Sequence, residues 1–321
     1  MKAIICTKYG SPEVLQLQEV EKPTPKKNEV LIKVHARAVT ASDCIIRGFK
    51  IPVKHWFPKG LIMHTMMGLV VGFKKPKNPI LGLVLSGEIE AVGKAVNQFG
   101  IGDQVYAFTG YSFGTYAEYT CLHEKESTRG CLAKKPITMS HEEAAAVVYG
   151  GMLATHFMKK GDIENRQKIL VYGASGAIGT AAVQLAKSMG KDVTGVCSTK
   201  NLELVKSLGA DKVIDYTKAN SINDLELYDF VLDAVGENKS SELKKQCKKS
   251  LNKNGKYVSV DDGSVRLHSK YLTKLKELID AGHFKAIIDR TYPLEQLVEA
   301  HEYVDSGHKK GNVIITINSV R

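Results

Sequence analysis

The strongest constraint on what this chain can fold into is the stretch Ile169-Leu170-Val171-Tyr172-Gly173-Ala174-Ser175-Gly176-Ala177-Ile178-Gly179, an apolar run that ends in a glycine turn and opens a small-residue helix. Glycines at such a turn let backbone N–H groups come close to a ligand. The unpaired N–H groups at the start of the helix, at the positive end of its dipole, favour an anion. A dinucleotide pyrophosphate is such an anion, and the Ser175 hydroxyl adds a donor. Gly173, Ala174, Ser175, Gly176, Ala177, Ile178 and Gly179 are therefore candidate cofactor-binding residues. The spelling departs from G-x-G-x-x-G, reading Ala174-x-Gly176-x-x-Gly179 with Gly173 one place earlier, so the motif needs support from its surroundings.

Further strand candidates follow at Asp192 to Cys197, Lys212 to Asp215, Asp229 to Asp233 and Lys256 to Val260. Helical spacing separates them. Leu202, Val205 and Leu208 form one face closed by Gly209, and Ser240 to Leu251 reads as a polar helix. Strands that alternate with helices require crossover connections, hence a parallel, doubly wound sheet of the α/β class. A glycine turn in an α/β domain without a nucleotide is the alternative that the repeated units weigh against.

The rest of the chain reads differently. Up to about residue 122, short candidates at Lys2 to Lys8, Val14 to Glu19, Glu29 to Ala38, Ser86 to Val92, Gln104 to Phe108 and Thr115 to Cys121 are divided by Gly, Pro and Asp turns, a β-rich pattern. A capping-type start at Ser140 opens a helix through Ala144 to Val147. The end of the chain predicts a helix over Leu272 to Asp280, a strand at Ala286 to Ile288, a helix over Leu294 to Val304 and a strand from Asn312 to Ile317. With 321 residues, 43% of them hydrophobic and 25% charged, there is enough chain for two domains with cores of their own. No apolar stretch has the length of a membrane span, and Met1 to Cys6 reads as a first strand rather than a secretion signal. Six cysteines, scattered without a C-x-x-C pair, point to reduced thiols and a cytoplasmic setting. The formal net charge of +11, with lysines clustered at Lys244, Lys245, Lys248, Lys249, Lys253 and Lys256, raises the question of nucleic acid. No aromatic residues interleave with those lysines and no nucleic-acid module is recognisable, so a solvated surface that draws in an anionic cofactor is the expectation.

Blocks along the whole chain resemble the medium-chain dehydrogenase/reductases, in their zinc-free quinone-oxidoreductase branch. Pro79-Ile80-Leu81-Gly82 and Ser86 to Gly93 resemble a segment of that family's barrel, Gly102-Asp103-Gln104-Val105-Tyr106 its G-D-x-V turn, and Gly114 to Tyr119 its G-x-Y-A-E-Y block. The nucleotide loop, Leu208 to Tyr216 and the closing His308-Lys309-Lys310-Gly311-Asn312-Val313 match as well. The resemblance implies a GroES-like β-barrel catalytic domain, residues 1–122 completed by 284–321, with the Rossmann domain, residues 123–283, inserted between, and it implies a homodimer.

Zinc-using members of the family hold the catalytic metal with an early Cys and a His-Glu pair; here those positions are Thr40, Leu83 and Val84, and the cysteines of the structural zinc loop are absent. A metal-free site is implied. Without a Lewis acid to stabilise a developing alkoxide by several kcal/mol, plain alcohols and unactivated ketones are poor substrates. Quinones and α,β-unsaturated carbonyls spread the incoming charge over a conjugated system and ask the protein mainly for orientation and a hydrogen bond. His301 and His308 are expected on a solvent-facing helix and loop.

An acidic residue at the end of the second strand would pair with the ribose hydroxyls of NAD. Cys197-Ser198-Thr199-Lys200 stands there instead, and two hydroxyls with an ammonium suit a 2′-phosphate, so NADPH is the expected cofactor. A cap for the helix at Asn201 would use the same hydroxyls, and both can hold at once. By resemblance Tyr216 lies along the adenosine-phosphate side and Asn312 reaches the cofactor from the tail. Val235, Gly236, Val260 and Asp261 follow strands four and five, where backbone groups meet the nicotinamide half. The candidate catalytic residues are Thr40, Asp43, Tyr149 and Thr155. Thr40 fills a slot held by Asn in many zinc-free relatives and could hydrogen-bond a substrate oxygen. Asp43 could bind the nicotinamide ribose or relay a proton, or it could instead cap the Cys44 to Gly48 turn or pair with Arg47. Tyr149 is a possible proton donor or a core tyrosine, Thr155 resembles a threonine that lies against the nicotinamide, and solvent can supply the proton.

The expected function is a zinc-independent, NADPH-dependent reductase of quinones or enones, delivering hydride into a cleft between the domains. An alcohol or aldehyde dehydrogenase of the same superfamily and a non-catalytic NADPH-dependent binding protein, such as an RNA binder, are the alternatives. Within Ile51 to Asn78, Trp56, Phe57, Leu61, Ile62, Met63, Met66, Met67, Leu69 and Val70 lie between lysines. That pattern fits a cover over the substrate cleft, plain barrel packing, or a contact with a membrane surface.

Overall fold

The computed structural model describes residues 1–49, 59–236, 241–262, 265 and 268–317, with residues 59–63 as backbone alone. The chain opens with the antiparallel ribbon β1 (Lys2–Cys6) and β2 (Leu15–Glu19), followed by the long strand β3 (Glu29–Val39). Helices α1 (Ala41–Gly48) and α2 (Lys59–Val71) precede β4 (Val84–Val92), β5 (Gln104–Phe108), β6 (Tyr119–His123) and β7 (Cys131–Lys134). α3 (His141–Lys160) then leads into β8 (Lys168–Tyr172), α4 (Ala177–Ser188), β9 (Asp192–Cys197), α5 (Leu202–Ser207) and β10 (Lys212–Asp215). Next come β11 (Tyr228–Asp233), α6 (Glu242–Lys249), β12 (Leu251–Ser259) and α7 (Ser269–Asp280). The tail holds β13 (Ile288–Pro293), α8 (Leu297–Asp305) and β14 (Asn312–Thr316). Two compact units result: Met1–Val148 with the chain from Ile288 onward, and Tyr149–Ile287.

β3 organises the first unit. Its first half pairs antiparallel with β6, Val30 opposite Leu122, and its second half with β14, Ala38 opposite Ile314, while β4 follows its other edge. Register shifts against β4 between Leu31 and Ile32 and between Val34 and Ala36 add twist, and the sheet runs β13-β14-β3-β4-β5-β7. Alternation along the strands sends Val30, Ile32 and Val34 inward against Leu85, Ile89, Val105 and Leu122. A second cluster, including Ile4, Leu15, Tyr116, Leu297, Ala300 and Ile315, joins the tail to the start of the chain.

The second unit is a parallel sheet in the order β10-β9-β8-β11-β12. The topological switch point lies between β8 and β11, and the glycine turn leaves the carboxyl end of β8 there. α4 presents Ala181, Ala182, Val183 and Leu185 as buried residues, which lets it lie close to the sheet. Gly195 in β9 serves the same closeness, since a Cβ there would stand 2.4 Å from a Val205 methyl carbon.

Several expected boundaries move, each for a local reason. β7 pairs with β5, so residues 123–148 lie with the first unit rather than opening the inserted domain at 123. The Thr115 to Cys121 strand starts only at Tyr119, because Tyr116 accepts from the Ile4 N–H and donates to Leu81 instead of joining a regular ladder. β12 begins at Leu251, five positions before the expected Lys256, and the Ala286 to Ile288 strand is found at Ile288–Pro293. The part of the apolar segment from 51 to 58 lies outside the described residues, while Met67 and Val71 of α2 pack with Leu83 and Phe113.

α3 and α4 meet at Gly150, where a Cβ would stand 2.2 Å from the Ala177 carbonyl oxygen. Alanine normally gains about 1 kcal/mol over glycine inside a helix, but a backbone collision costs about 1–3 kcal/mol, so the collision wins. Gly150→Ala should lower the melting temperature by several degrees, and Gly151→Ala, which meets only the Leu275 side chain, should cost less. Thermal denaturation of the two variants decides the order.

Candidate functional site: a nucleotide cradle and a buried polar chain

Three glycines shape the turn after β8, and for different reasons. Gly173 has φ +82°, and a Cβ on Gly179 would lie 2.1 Å from the Gly173 carbonyl oxygen, so the fold itself requires both. Gly176 is not required in that way: its φ is −79°, and the nearest atom to a Cβ is 3.6 Å away. It is the N-cap of α4 and supplies no side-chain cap. The N–H groups of Ala177, Ile178 and Gly179 therefore face outward with no acceptor inside the helix. A glycine that packing does not demand, at an uncapped helix start, fits a phosphate pressed against the backbone. Ala174 is fully buried, its N–H bonded to the Val196 carbonyl at 2.9 Å, and it holds the turn against β9.

Beside the turn, the Asn201 amide donates to the Ser175 hydroxyl at 3.1 Å and to the Ser198 hydroxyl at 3.2 Å. Each serine thus accepts from Asn201 and keeps its own proton to give. Ser198 is an N-cap position without a side-chain cap bond, so its hydroxyl is not consumed by the short turn that follows. Thr199 differs from expectation. Its hydroxyl donates to Asp215 at 2.6 Å and lies 2.8 Å from the Thr217 hydroxyl, which commits its single proton away from any phosphate. Burial pushes Asp215 up, but the Thr199 and Thr217 donors outweigh it and hold the carboxylate below its usual range. Lys200 and Tyr216 are exposed at the same rim.

The ends of β11 and β12 bring Val235, Gly236, Val260 and Asp261 together. Asp233, buried, accepts from the Val235 and Gly236 N–H groups at 3.1 and 3.2 Å, from the Tyr257 hydroxyl at 2.8 Å, and pairs with Lys244 at 2.7 Å. The Val260 N–H donates to the Asp233 carbonyl at 3.0 Å, and Gly236, at φ +75°, lies against the Asp261 carboxylate. Asp233 and Lys244 were not among the sequence candidates. The signal available was an aspartate two and three residues before backbone donors at the end of a strand, an Asx turn. Tyr149 and Thr155 lie on α3, where the Thr155 hydroxyl donates to the Gly151 carbonyl at 2.8 Å and so keeps its proton within the helix.

In the first unit Thr40 and Asp43 form a capping box at the start of α1. Asp43 Oδ2 accepts from the Thr40 hydroxyl at 2.6 Å and the Thr40 N–H at 2.8 Å, and the Thr40 hydroxyl accepts from the Asp43 N–H at 3.2 Å. Arg47 does not pair with Asp43; it pairs with Asp305 at 2.5 Å and donates to His301 Nδ1 at 3.2 Å. An arginine can only donate, so His301 carries its proton on Nε2 and gives it to the Tyr116 hydroxyl at 3.0 Å. His301 is thus a fully buried residue and not, as expected, a solvent-facing one; His308 is exposed. Desolvation pushes Asp43 up to about 7, against the pull of Thr40, the Leu83 N–H and the Tyr116 hydroxyl. Desolvation, with the Arg47 charge beside it, pushes His301 down to about 3. Asn312 is buried at the start of β14, and Leu83 and Val84 are buried apolar residues. Among the described residues no three His, Cys, Asp or Glu side chains gather as a metal-binding set.

The family model described as an alcohol dehydrogenase GroES-like domain matches residues 26–133, and one described as a zinc-binding dehydrogenase matches residues 177–289. The mitochondrial NAD(P)H oxidoreductase RTN4IP1 of Mus musculus is 30% identical over 366 residues, covering 99% of this chain and 89% of that protein. A 2-methylene-furan-3-one reductase of Solanum lycopersicum is 32% identical, covering 98% and 79%. The quinone oxidoreductase structure from Coxiella burnetii superposes with a TM-score of 0.80 at 25% identity, covering 99% of both chains. The chain belongs to the medium-chain dehydrogenase/reductase superfamily. Within it the chain falls in the zinc-free branch, with Thr40, Leu83 and Val84 where zinc-using members carry ligands, and it is an oxidoreductase that works with a nicotinamide cofactor.

The two buried titrating groups make opposite contributions to stability. Asp43 has a raised value, so its contribution is present at low pH and lost as pH climbs from about 4 to about 7; His301 has a lowered value, so its contribution is present above about 6.5 and lost as pH falls toward about 3. Asp43→Asn should therefore gain stability relative to the parent as pH rises from 4 to 8, whatever constant offset the altered cap introduces. Denaturant melts across that range check it; a pH-independent difference would show that Asp43 ionises normally.

Proposed function

We propose that the chain is an NADPH-dependent reductase of quinones or α,β-unsaturated carbonyls. The observation that carries the cofactor choice is the end of β9: Ser198 keeps a free hydroxyl proton, Lys200 two residues on is exposed, and the nearby Asp215 carboxylate is occupied by two threonines. That rim suits a 2′-phosphate and offers no open carboxylate to a ribose diol. Ser175 and the N–H groups after Gly176 would hold the pyrophosphate, while Val235, Gly236, Val260 and Asp261 would meet the nicotinamide half. When bound, the dinucleotide supplies the hydride.

The protein's own part is to orient the acceptor and to supply a proton. With Asp43 ionised the Thr40 hydroxyl donates to it at 2.6 Å; with Asp43 protonated, as its value of about 7 allows near neutrality, the contact would reverse and free the Thr40 proton for the substrate oxygen. A proton leaving through Thr40 would be replaced from Asp43. The substrate class is supported by the relatives, one named for reducing a furanone that bears a conjugated methylene and another as a quinone oxidoreductase. Six unpaired cysteines suit a reducing compartment, in keeping with a cytoplasmic setting, and a homodimer remains the expected assembly.

Steady-state oxidation of NADPH with a panel of quinones, enones and simple ketones tests the reading. Quinones or enones should turn over and simple ketones should not. Lys200→Ala should raise KM for NADPH about tenfold and leave that for NADH nearly unchanged. Equal use of both cofactors by the parent chain would overturn the NADPH choice, and loss of the proton-linked pH dependence near 7 in Asp43→Asn is expected if that residue supplies the proton.

A further inference from the structure

α2 shows two faces with different fates. Met67 and Val71 face the first unit's core, packing with Leu83 and Phe113, and the Tyr9 hydroxyl fastens the helix end by donating to the Val71 and Gly72 carbonyls at 3.1 and 2.9 Å. On the other side Met66, Leu69, Val70 and Phe73 are 62%, 60%, 43% and 51% exposed. Their spacing, i, i+3, i+4 and i+7, is that of one helix face. Phe73 extends this face from beyond the helix by folding back over Gly68, where a Cβ would collide with its ring at 2.2 Å. A stripe that is apolar, continuous and turned to water calls for a partner.

Charge says which. Between the buried Arg47 and Glu88 the sequence holds six lysines and not one Asp or Glu. Of these, Lys74 and Lys75 stand exposed directly after Phe73, and the Lys77 ammonium donates to the Leu69 carbonyl at the negative end of the helix. A second copy of this face would bring like charge against like. A nucleic acid would satisfy the lysines but gain nothing from methionine, leucine and valine side chains. An anionic lipid bilayer satisfies both, taking the apolar stripe into the acyl boundary and the ammonium groups at the headgroups.

We propose that the outer face of α2, Met66, Leu69, Val70 and Phe73 with Lys74 and Lys75, is a docking surface for an anionic membrane. The helix lies in the plane of the interface and does not cross it. Its inner face is already fixed to the folded unit, so little ordering has to accompany binding.

The test is co-sedimentation of the full chain with phospholipid vesicles. It should bind vesicles in which about a third of the lipids are anionic, bind pure phosphatidylcholine vesicles far less, and be released by high salt. Leu69→Glu should weaken binding by about tenfold or more, and Lys74→Gln with Lys75→Gln by a similar factor. Met67 is left intact in both variants, and unchanged melting temperatures report that the fold is kept. No binding to anionic vesicles, or binding indifferent to Leu69→Glu, overturns the proposal. So does salt-sensitive binding of a mixed-sequence RNA that Leu69→Glu leaves untouched, or concentration-dependent self-association that Leu69→Glu abolishes.

Discussion

The first unit depends on a largely buried chain of polar contacts. Asp305 holds Arg47, Arg47 holds one nitrogen of His301, the other nitrogen holds Tyr116, and Tyr116 faces the carboxyl group that caps α1. Removing Asp305 would leave the buried Arg47 guanidinium without its carboxylate, and removing His301 or Tyr116 would strand a buried N–H donor. Because Arg47 comes from α1 and His301 from α8, the chain of contacts also ties the front of the sequence to its tail. Thr40 inherits its geometry from this arrangement: its hydroxyl is placed by Asp43, and Asp43 by the helix it caps.

The second unit relies on the opposite device, the removal of side chains. Gly179, Gly195 and Gly150 each mark a place where backbone or helix comes too close for a Cβ, and Gly173 one where φ is positive. Gly176 stands apart because nothing in the protein crowds it. That contrast separates the glycines that the Rossmann turn itself requires from one that it does not, a distinction no pattern of letters can make.

Much of this was legible in the sequence, and the reasons for the remainder are specific. The parallel sheet followed from strands and helices in alternation, and β5, β9 and β10 fall where their apolar runs are. His301 was misplaced although its helix carries the signal: Leu297, Ala300, His301 and Val304 are all buried, so the histidine sits on the apolar stripe itself. Thr199 looked like a phosphate ligand because its hydroxyl is visible in the sequence and its partner, Asp215, lies on a neighbouring strand. In sequence Asn201 shows only as the start of a helix, since its two serine partners are separated from each other by more than twenty positions. Strand ends moved where single hydrogen bonds to β1 and Leu81 replaced a regular ladder.

The pairing of β3 with β14 has a consequence for how the molecule is made. Residues 36–39 are synthesised well before their ladder partners, 313–316. The first unit therefore cannot complete its sheet until β14 has been made, while the second unit holds all five of its strands once β12 has been made. The half-made barrel, with the edge of β3 unpaired where β14 belongs, is the species most in need of protection on the way to the native state.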